Sequence, residues 1–591
     1  MAVPSRATDQ LDPMTFAVLQ HAFTNVVDEM GAKIMQSAYS PVVNEGRDFA
    51  ASITTSDGRL VAQGQQDLPA FIGIAPIWAK AQIEWIGIEN FRPGDVVIAN
   101  DPYLGGTHCM DVRFMMPVYW EGELVAFVQD IAHWVDVGGP LPGGFNPRAA
   151  HILQEAMRIT PIHVMRGGVL DENLVSFILA NVRLADWSYG DMMGQIQGLR
   201  VGEQRLHALL EKYGKETVQL AMNEVIRSSE ELMRTEFARM PDGDYEAVDY
   251  IDRDPASDSD EPLTIDLKMT VEGNRVRCDL SGSSPQALGP VNGPKGVSVS
   301  ALMVAIKSMF PEIPMNEGVY QAIDFHIPDG LVCSAVYPAP VSGMASACYA
   351  RVLDCVYRCF IEISPDEAMA CPYTILNIIV GGTDDRPGRD GKPFVMYTWV
   401  EGGYGGRPGK RDNHTAMSLF ASGTQSIPIE SLEREHPVRF ERFEYLADSE
   451  GAGMHRGGFG VEKSLSVQAE GAAITCQGDR GRFVPWGHAG GSDGTPNSLM
   501  DGDLEVGVFA VDHQLDPARL VRTRTNGGGG FGSPLERPVE WVLEDVIDGL
   551  VTVEKAREVY GVEVLVGDSD LLEYTVDVAA TETRRAAARK E

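Results

Sequence analysis

The sequence predicts an α+β fold: a mixed, multi-domain chain with β-hairpins around a candidate metal site, a central helical region and a glycine-rich, β-dominated C-terminal part. Three observations carry that expectation. Runs rich in branched and aromatic residues flank short turns between residues 49 and 133. Apolar positions then recur every three and four residues towards residue 240, and strand-like runs separated by Gly clusters fill the last third. A chain of 591 residues has room for several domains of roughly 100–200 residues each. The expected division is an N-terminal α+β region with the site and the helical segment (1–240), an α/β middle region (241–380), a Gly-rich β region (381–575) and a disordered tail (576–591).

Taken in order, Asp12 caps a helix that has Pro13 at its first position and continues through "TFAVLQHAFTNVVDEMGAKIMQS". The strand after Asp48 reaches the turn Ser56-Asp57-Gly58 and returns as "RLVAQ". A second helix is expected over 74–90, and "GDVVIAND" is a strand entering the Pro- and Gly-rich loop "NDPYLGGTHCMDV" (Asn100–Val112). Next, "VRFMMPVYW" and "ELVAFVQDIAH" flank Glu121-Gly122 as a hairpin. Centred on Gly122, it sets Trp120 opposite Leu124 and Asp111 opposite His133, with His108 one loop step away. From about 150 to 240 the pattern is helical. After Pro241 come strands ("LTIDLKMTVEGNRVRCDLSG"), a helix "VSVSALMVAIKSMF", a helix through Cys355, the Gly-rich strands and a terminal helix "PVEWVLEDVIDGLV". The polar end "TETRRAAARKE" is expected to fray.

Composition narrows the function. The 84 acidic and 49 basic residues give a formal charge of −35, a surface that repels phosphate backbones and excludes nucleic acid as a partner. No run reaches the ~20 apolar residues that span a bilayer, and the N-terminus lacks a signal-peptide core, so a cytoplasmic protein without membrane contact is expected. The eight cysteines form no CxxC pair. Cys355 and Cys359 share one helix face, where buried thiols act as small hydrophobes.

His108, Asp111 and His133 are the candidate metal ligands. A divalent ion such as manganese or zinc accepts imidazole nitrogen and carboxylate oxygen, and a catalytic site keeps a position open. The hairpin register brings Asp111 and His133 together, although a slip of one residue would turn one of them to the other face. In the plainer alternative, His108 and Asp111 only stabilise the loop. Asp48 is a further ligand, a base for water, or a turn-closing carboxylate. Asp136, in "HWVDVGG", orients a ligand or caps the Gly turn. The clusters "EGGYGGRPG" and "TNGGGGFGSP" fit no phosphate-loop pattern and read as tight turns or close backbone packing. No Gly-x-Ser-x-Gly elbow occurs.

The order of motifs resembles the hydantoinase B family, which includes the B-type chain of ATP-dependent N-methylhydantoinases, the C-terminal half of 5-oxoprolinase and the metal-bearing subunit of acetone carboxylase. The likeness runs from "NDPYLGGTHCMDV" and "PVYWEGELVAFVQDIAHWVDVGG" through "DLSGSSPQALGPVNGP", "YPAPVSG" and "GAGMHRGGFGV" to "NGGGGFGSPLER". The resemblance implies a partner, an A-type subunit of actin-like fold that binds the ATP and phosphorylates a carbonyl oxygen or bicarbonate. A small third subunit is also possible, so a hetero-oligomer is expected. It further implies that a metal, manganese in acetone carboxylase, is held at the positions of His108, Asp111 and His133, with the family's Asp at Asp48. The departures are His-Cys-Met-Asp for the usual His-Leu-Pro-Asp (108–111), Trp134 within "HWVD", "PGGF" for "PGSM" (142–145), and Phe71 for a His. A Trp and a Phe near the site suggest an apolar or aromatic pocket.

Three functions follow as expectations. One is the metal-bearing subunit of an amidohydrolase that opens a cyclic amide or imide, in which Asp48 and Asp136 assist the chemistry on a small carbonyl substrate. The second is the corresponding subunit of an ATP-dependent ketone carboxylase, of the acetone or acetophenone type. The third, a non-catalytic scaffold, sits poorly with an intact His108, Asp111 and His133.

Overall fold

The computed structural model describes residues 11–389, 391–568 and 571–589. The helix Pro13–Ser37 opens as its sequence dictates. The Asp12 carboxylate accepts from the Thr15 amide at 2.9 Å, and Pro13 supplies the preset φ of the first turn. Its apolar stripe, including Leu19, Phe23, Val27 and Ile34, is buried against the helix Ala185–Tyr213.

Seven antiparallel strands form the N-terminal sheet: β1 (Phe49–Thr55), β2 (Leu60–Gln63), β3 (Val96–Ala99), β4 (Asp111–Trp120), β5 (Glu123–His133), β6 (Ile162–Arg166) and β7 (Val169–Leu170). Their spatial order is β2-β1-β5-β4-β3-β6-β7. Because β4 and β5 are covered on both faces, they read as nearly continuous apolar runs and not as alternating ones.

The hairpin register matters most. Asp111 faces His133 as expected, but Trp120 pairs with Glu123 and not with Leu124. The turn is the two-residue Glu121-Gly122, with φ of 50° and 86°, the geometry that matches strand twist. A bulge between Val118 and Tyr119 inserts one residue and resets the pairing from there to the open end.

Other expectations need correction. The helix expected over 74–90 is Ala75–Ile86 and a short 3-10 turn Ile88–Asn90, separated by Gly87 at φ 82°. The segment expected to be helical from 150 begins instead with a single 3-10 turn, Ile152–Gln154, and the β6–β7 hairpin, turned by Gly167 and Gly168 at positive φ. The helices Glu172–Leu179, Ala185–Tyr213 and Lys215–Phe237 follow it. The end expected to fray contains a helix, Val578–Ala588. Asp577 caps it, and its alanine-rich sequence favours the helix despite its polarity.

The middle sheet comprises β8 (Gly243–Ile251), β9 (Leu263–Glu272), β10 (Arg275–Asp279) and β11 (Ile323–His326), ordered β11-β10-β9-β8. The helix Ala350–Ile363 packs on it, with Cys355 and Cys359 directed at the carbonyls of Ile265 and Tyr245. All eight cysteines are buried and free, as small core residues.

Two C-terminal strands, β12 (Leu376–Asp384) and β13 (Lys392–Val400), extend a sheet that also holds Ala473–Gln477 and His513–Gln514. The Gly clusters pack backbone on backbone. Gly458 donates to the Tyr404 carbonyl at 2.8 Å, and a Cβ on Gly528 would fall 2.1 Å from the same oxygen. One apolar core runs from the N-terminal sheet through the middle region to β12 and β13. Among the described residues, no helix is long and apolar enough to cross a membrane.

Candidate metal centre

Three neighbouring strands deliver the site. β1 and β4 flank β5, and Phe49 pairs with Ala132 while Asp111 pairs with His133. Asp48, one residue before β1, therefore falls beside His133, whose amide donates to the Asp48 carbonyl at 3.0 Å. Residues level with one another across a ladder share a face, so Asp48, His133 and Asp111 form one row.

His108 joins that row from the loop, and the loop is fixed from within. Asn100 donates to the carbonyls of Cys109 and Met157 at 2.7 and 2.9 Å and accepts from the Ile159 amide. The fully buried Arg113 donates to the carbonyls of Asp101 and Leu104 at 2.7 and 3.1 Å. Gly105 turns at φ 77° where a Cβ would meet the Trp78 backbone at 2.7 Å. His108 Nε2 then stands 3.4 Å from Asp111 Oδ2, and the His108 and His133 rings are 5.2 Å apart.

The donor set fits a divalent ion. One ligand atom each from His108, Asp111 and His133 can be chosen so that all lie within 4.8 Å of one another. His108 Nδ1, Asp111 Oδ1 and both ring nitrogens of His133 are buried with no hydrogen-bond partner, a costly arrangement unless something else satisfies them. Burial, reinforced by His133, keeps His108 well below its ordinary pKa, and burial lowers His133 to about 3. Both imidazoles are thus neutral at pH 7, the form that ligates a metal. Burial raises Asp111 to about 7 against the opposing hydrogen bond from Thr107, and burial with the Asp111 charge raises Asp48 well above the carboxylate range. Burial is the main cause of both shifts, and the proximity of the two carboxyls adds to that of Asp48.

The far wall comes from β12, β13 and the turn of π-helix Ala345–Tyr349. Tyr397 stacks on His133 with centroids 4.5 Å apart and planes 15° from parallel, and Phe145 stacks on Tyr397 at 5.5 Å. Asn377, Trp399, Phe71, Met417 and Thr424 complete much of the lining. The enclosed space is about 30 Å³, enough for an ion and a water but not for an organic substrate. Thr424 lines both this space and a cleft of about 1080 Å³, and anything larger than a water needs the lining to move.

Two sequence readings change here. Trp134 does not line the pocket. Its indole donates to Gln195 at 2.9 Å on the opposite face from His133, as the two-residue period of a strand requires. The aromatic wall is instead Phe71, Phe145, Tyr397 and Trp399. Asp136 also lies outside the pocket. It accepts from the amides of Gly138, Gly143 and Arg183 and from the Arg183 guanidinium at 2.8–3.0 Å, which matches the Gly-turn alternative. No local signal marks Tyr397 and Trp399, which lie more than 260 residues beyond His133 in the sequence.

A second cluster, Asp249, Asp354 and Cys371, also brings ligand atoms together. The fully buried Arg480 is its cation: Nη2 donates to Asp249 and Asp354 at 3.0 and 2.6 Å, with Cys371 Sγ at 3.0 Å. This is a buried ion-pair network and not a second metal centre.

Residues 12–534 match the family model for hydantoinase B/oxoprolinase. The B-type chain of a putative D-/L-hydantoinase from Pseudomonas sp. (strain NS671) is 31% identical, covering 96% of this chain and 97% of that one. The crystal structure of ATP-dependent caprolactamase from Pseudomonas jessenii superposes with a TM-score of 0.87 at 27% identity, over 98% of this chain and all of that chain. Nucleotide-free acetone carboxylase gives a TM-score of 0.89 at 19% identity, over 98% of this chain and 83% of that chain, a likeness of fold. The chain belongs to the hydantoinase B/oxoprolinase family.

Proposed function

We propose, from that family membership, that this chain is the metal-bearing B-type subunit of an ATP-dependent enzyme that opens a cyclic amide. The observation that carries the reading is the convergence of His108, Asp111 and His133 beside Asp48, with Nδ1 of His108, Oδ1 of Asp111 and both ring nitrogens of His133 buried and unpartnered. His108, Asp111 and His133 would hold a manganese or zinc ion, which would supply Lewis acidity beside the reacting carbonyl. An A-type partner uses the ATP to phosphorylate the amide oxygen, since this sequence has no phosphate loop.

The chain's own residues do the rest. Neutral His108 and His133 offer nitrogen lone pairs, and Asp111 balances part of the ion's charge. Asp48, level with His133 across the ladder, takes the proton of water as that water adds to the activated ring carbon. The ring C–N bond then breaks, the proton passes to the departing nitrogen, and the acyl phosphate left on the carbon is hydrolysed by a second water to carboxylate and inorganic phosphate. Tyr397 and Phe145 exclude bulk water from this step.

A ketone carboxylase is the second reading, favoured by the apolar wall and by the fold it shares with acetone carboxylase. In that case an ion held by His108, Asp111 and His133 would supply positive charge beside a developing enolate. ADP release by the co-purified complex separates the two. Stimulation by a lactam in bicarbonate-free buffer supports the amidohydrolase, and turnover that requires bicarbonate and a ketone supports the carboxylase.

A further inference from the structure

We infer that the substrate is an uncharged carbonyl compound with an apolar body, and that the indole N–H of Trp399 receives its oxygen. The inference rests on the metal centre proposed above and assigns what lies beside it. No Lys or Arg lines the pocket. Outside the row of candidate ligands and Asp48, its polar side chains are Asn377, Tyr397, Trp399 and Thr424.

Three of these four already have partners. Asn377 accepts from the Tyr397 hydroxyl at 2.9 Å and donates to the Gln477 carbonyl at 3.2 Å. The Thr424 hydroxyl donates to the Ala421 carbonyl at 2.7 Å. Trp399 is 2% exposed, and its Nε1 has no acceptor among the described residues. A buried N–H without a partner is costly, and Trp399, unlike the equally unpartnered Trp78, belongs to the pocket wall, where a ligand can complete the set. Trp399 stands two residues from Tyr397 on β13, with the rings 5.5 Å apart, so one ring separates it from His133.

That inventory selects substrates. A lactam or a ketone offers one oxygen and otherwise apolar surface, which matches one free donor and aromatic walls. A carboxylate-bearing ring, such as 5-oxoproline, would meet no Lys or Arg in the lining and would compete with Asp48 and Asp111 for the charge of the ion. An imide such as hydantoin brings further polar groups that find no partners, and sites with unmatched polar groups discriminate strongly.

The test is ADP release by the complex of this chain with its ATP-using partner. The substrates are caprolactam, acetophenone with bicarbonate, hydantoin and 5-oxoproline, and the enzymes are wild type and Trp399→Phe, with bound manganese measured in each. The expected result is a kcat/KM for caprolactam or acetophenone at least tenfold above those for hydantoin and 5-oxoproline. Trp399→Phe, which keeps the ring and loses the N–H, lowers that value about tenfold, mainly through KM, with unchanged manganese content. Preference for 5-oxoproline or hydantoin overturns the inference, as does an unaltered kcat/KM in Trp399→Phe. Failure of the metal-centre reading shows separately, as wild-type protein that binds no manganese.

Discussion

Tyr397 lies flat on His133, with centroids 4.5 Å apart and planes within 15°, and so joins the C-terminal sheet to the candidate metal centre of the N-terminal one. The contact fixes the plane of an imidazole that has no hydrogen bond of its own. Replacing Tyr397 by Ala should weaken manganese binding roughly tenfold, the range seen when a ligand loses its outer support, and destabilise the fold by about 3–5 kcal/mol. Tyr397→Phe keeps the stack and should leave metal affinity near wild type. Calorimetric titration with manganese and thermal denaturation check both.

Metal binding should depend on pH through Asp111, which must lose its proton to ligate. Burial holds its pKa at about 7 in the metal-free protein. Below that value the ion competes with a proton, so affinity should fall by about a decade per pH unit from 7 towards 5.5 and level off above 7. His133, lowered to about 3, stays neutral throughout this range and does not add to the slope. The folded pKa of Asp111 lies above its unfolded value. The metal-free fold therefore loses this contribution as pH rises from about 4 to 7, and added metal restores most stability at the upper end. Titrations with manganese at several pH values test this, and a flat profile would contradict it.

Asn100 ties the loop that carries His108 to Cys109, Met157 and Ile159. Asn100→Ala leaves three buried main-chain groups unpaired and should cost about 3 kcal/mol, together with loss of metal. Denaturant unfolding and metal content measure the two effects.

Asp136 is a catalytic candidate on sequence alone, and its bonds to the Gly138 loop and Arg183 make it a structural lock. Asp136→Asn should lower stability by about 2–3 kcal/mol through the weakened buried pair with Arg183 while the folded protein keeps its manganese. A variant of normal stability that binds metal but turns nothing over would return Asp136 to the chemistry.

The near half of the site is legible in the sequence because hairpin geometry is local. The Asp111–His133 pairing emerges from two branched and aromatic runs and a turn, although the Val118/Tyr119 bulge, invisible in the sequence, is needed to make it correct. The place of Asp48 beside His133 depends on β1 pairing with β5 across more than 70 residues, and no local pattern announces that. Tyr397 and Trp399 look like ordinary strand residues until two distant sheets meet. The glycine clusters are readable as close backbone packing, since they lack the residues a phosphate loop requires.

The most direct test of the central claim is manganese stoichiometry by equilibrium dialysis, on wild type and on Asp111→Ala, with circular dichroism as a check on folding. The account predicts one ion per wild-type chain, and an Asp111→Ala chain that keeps its fold but not the ion. An Asp111→Ala chain that retains a full equivalent of manganese would contradict it.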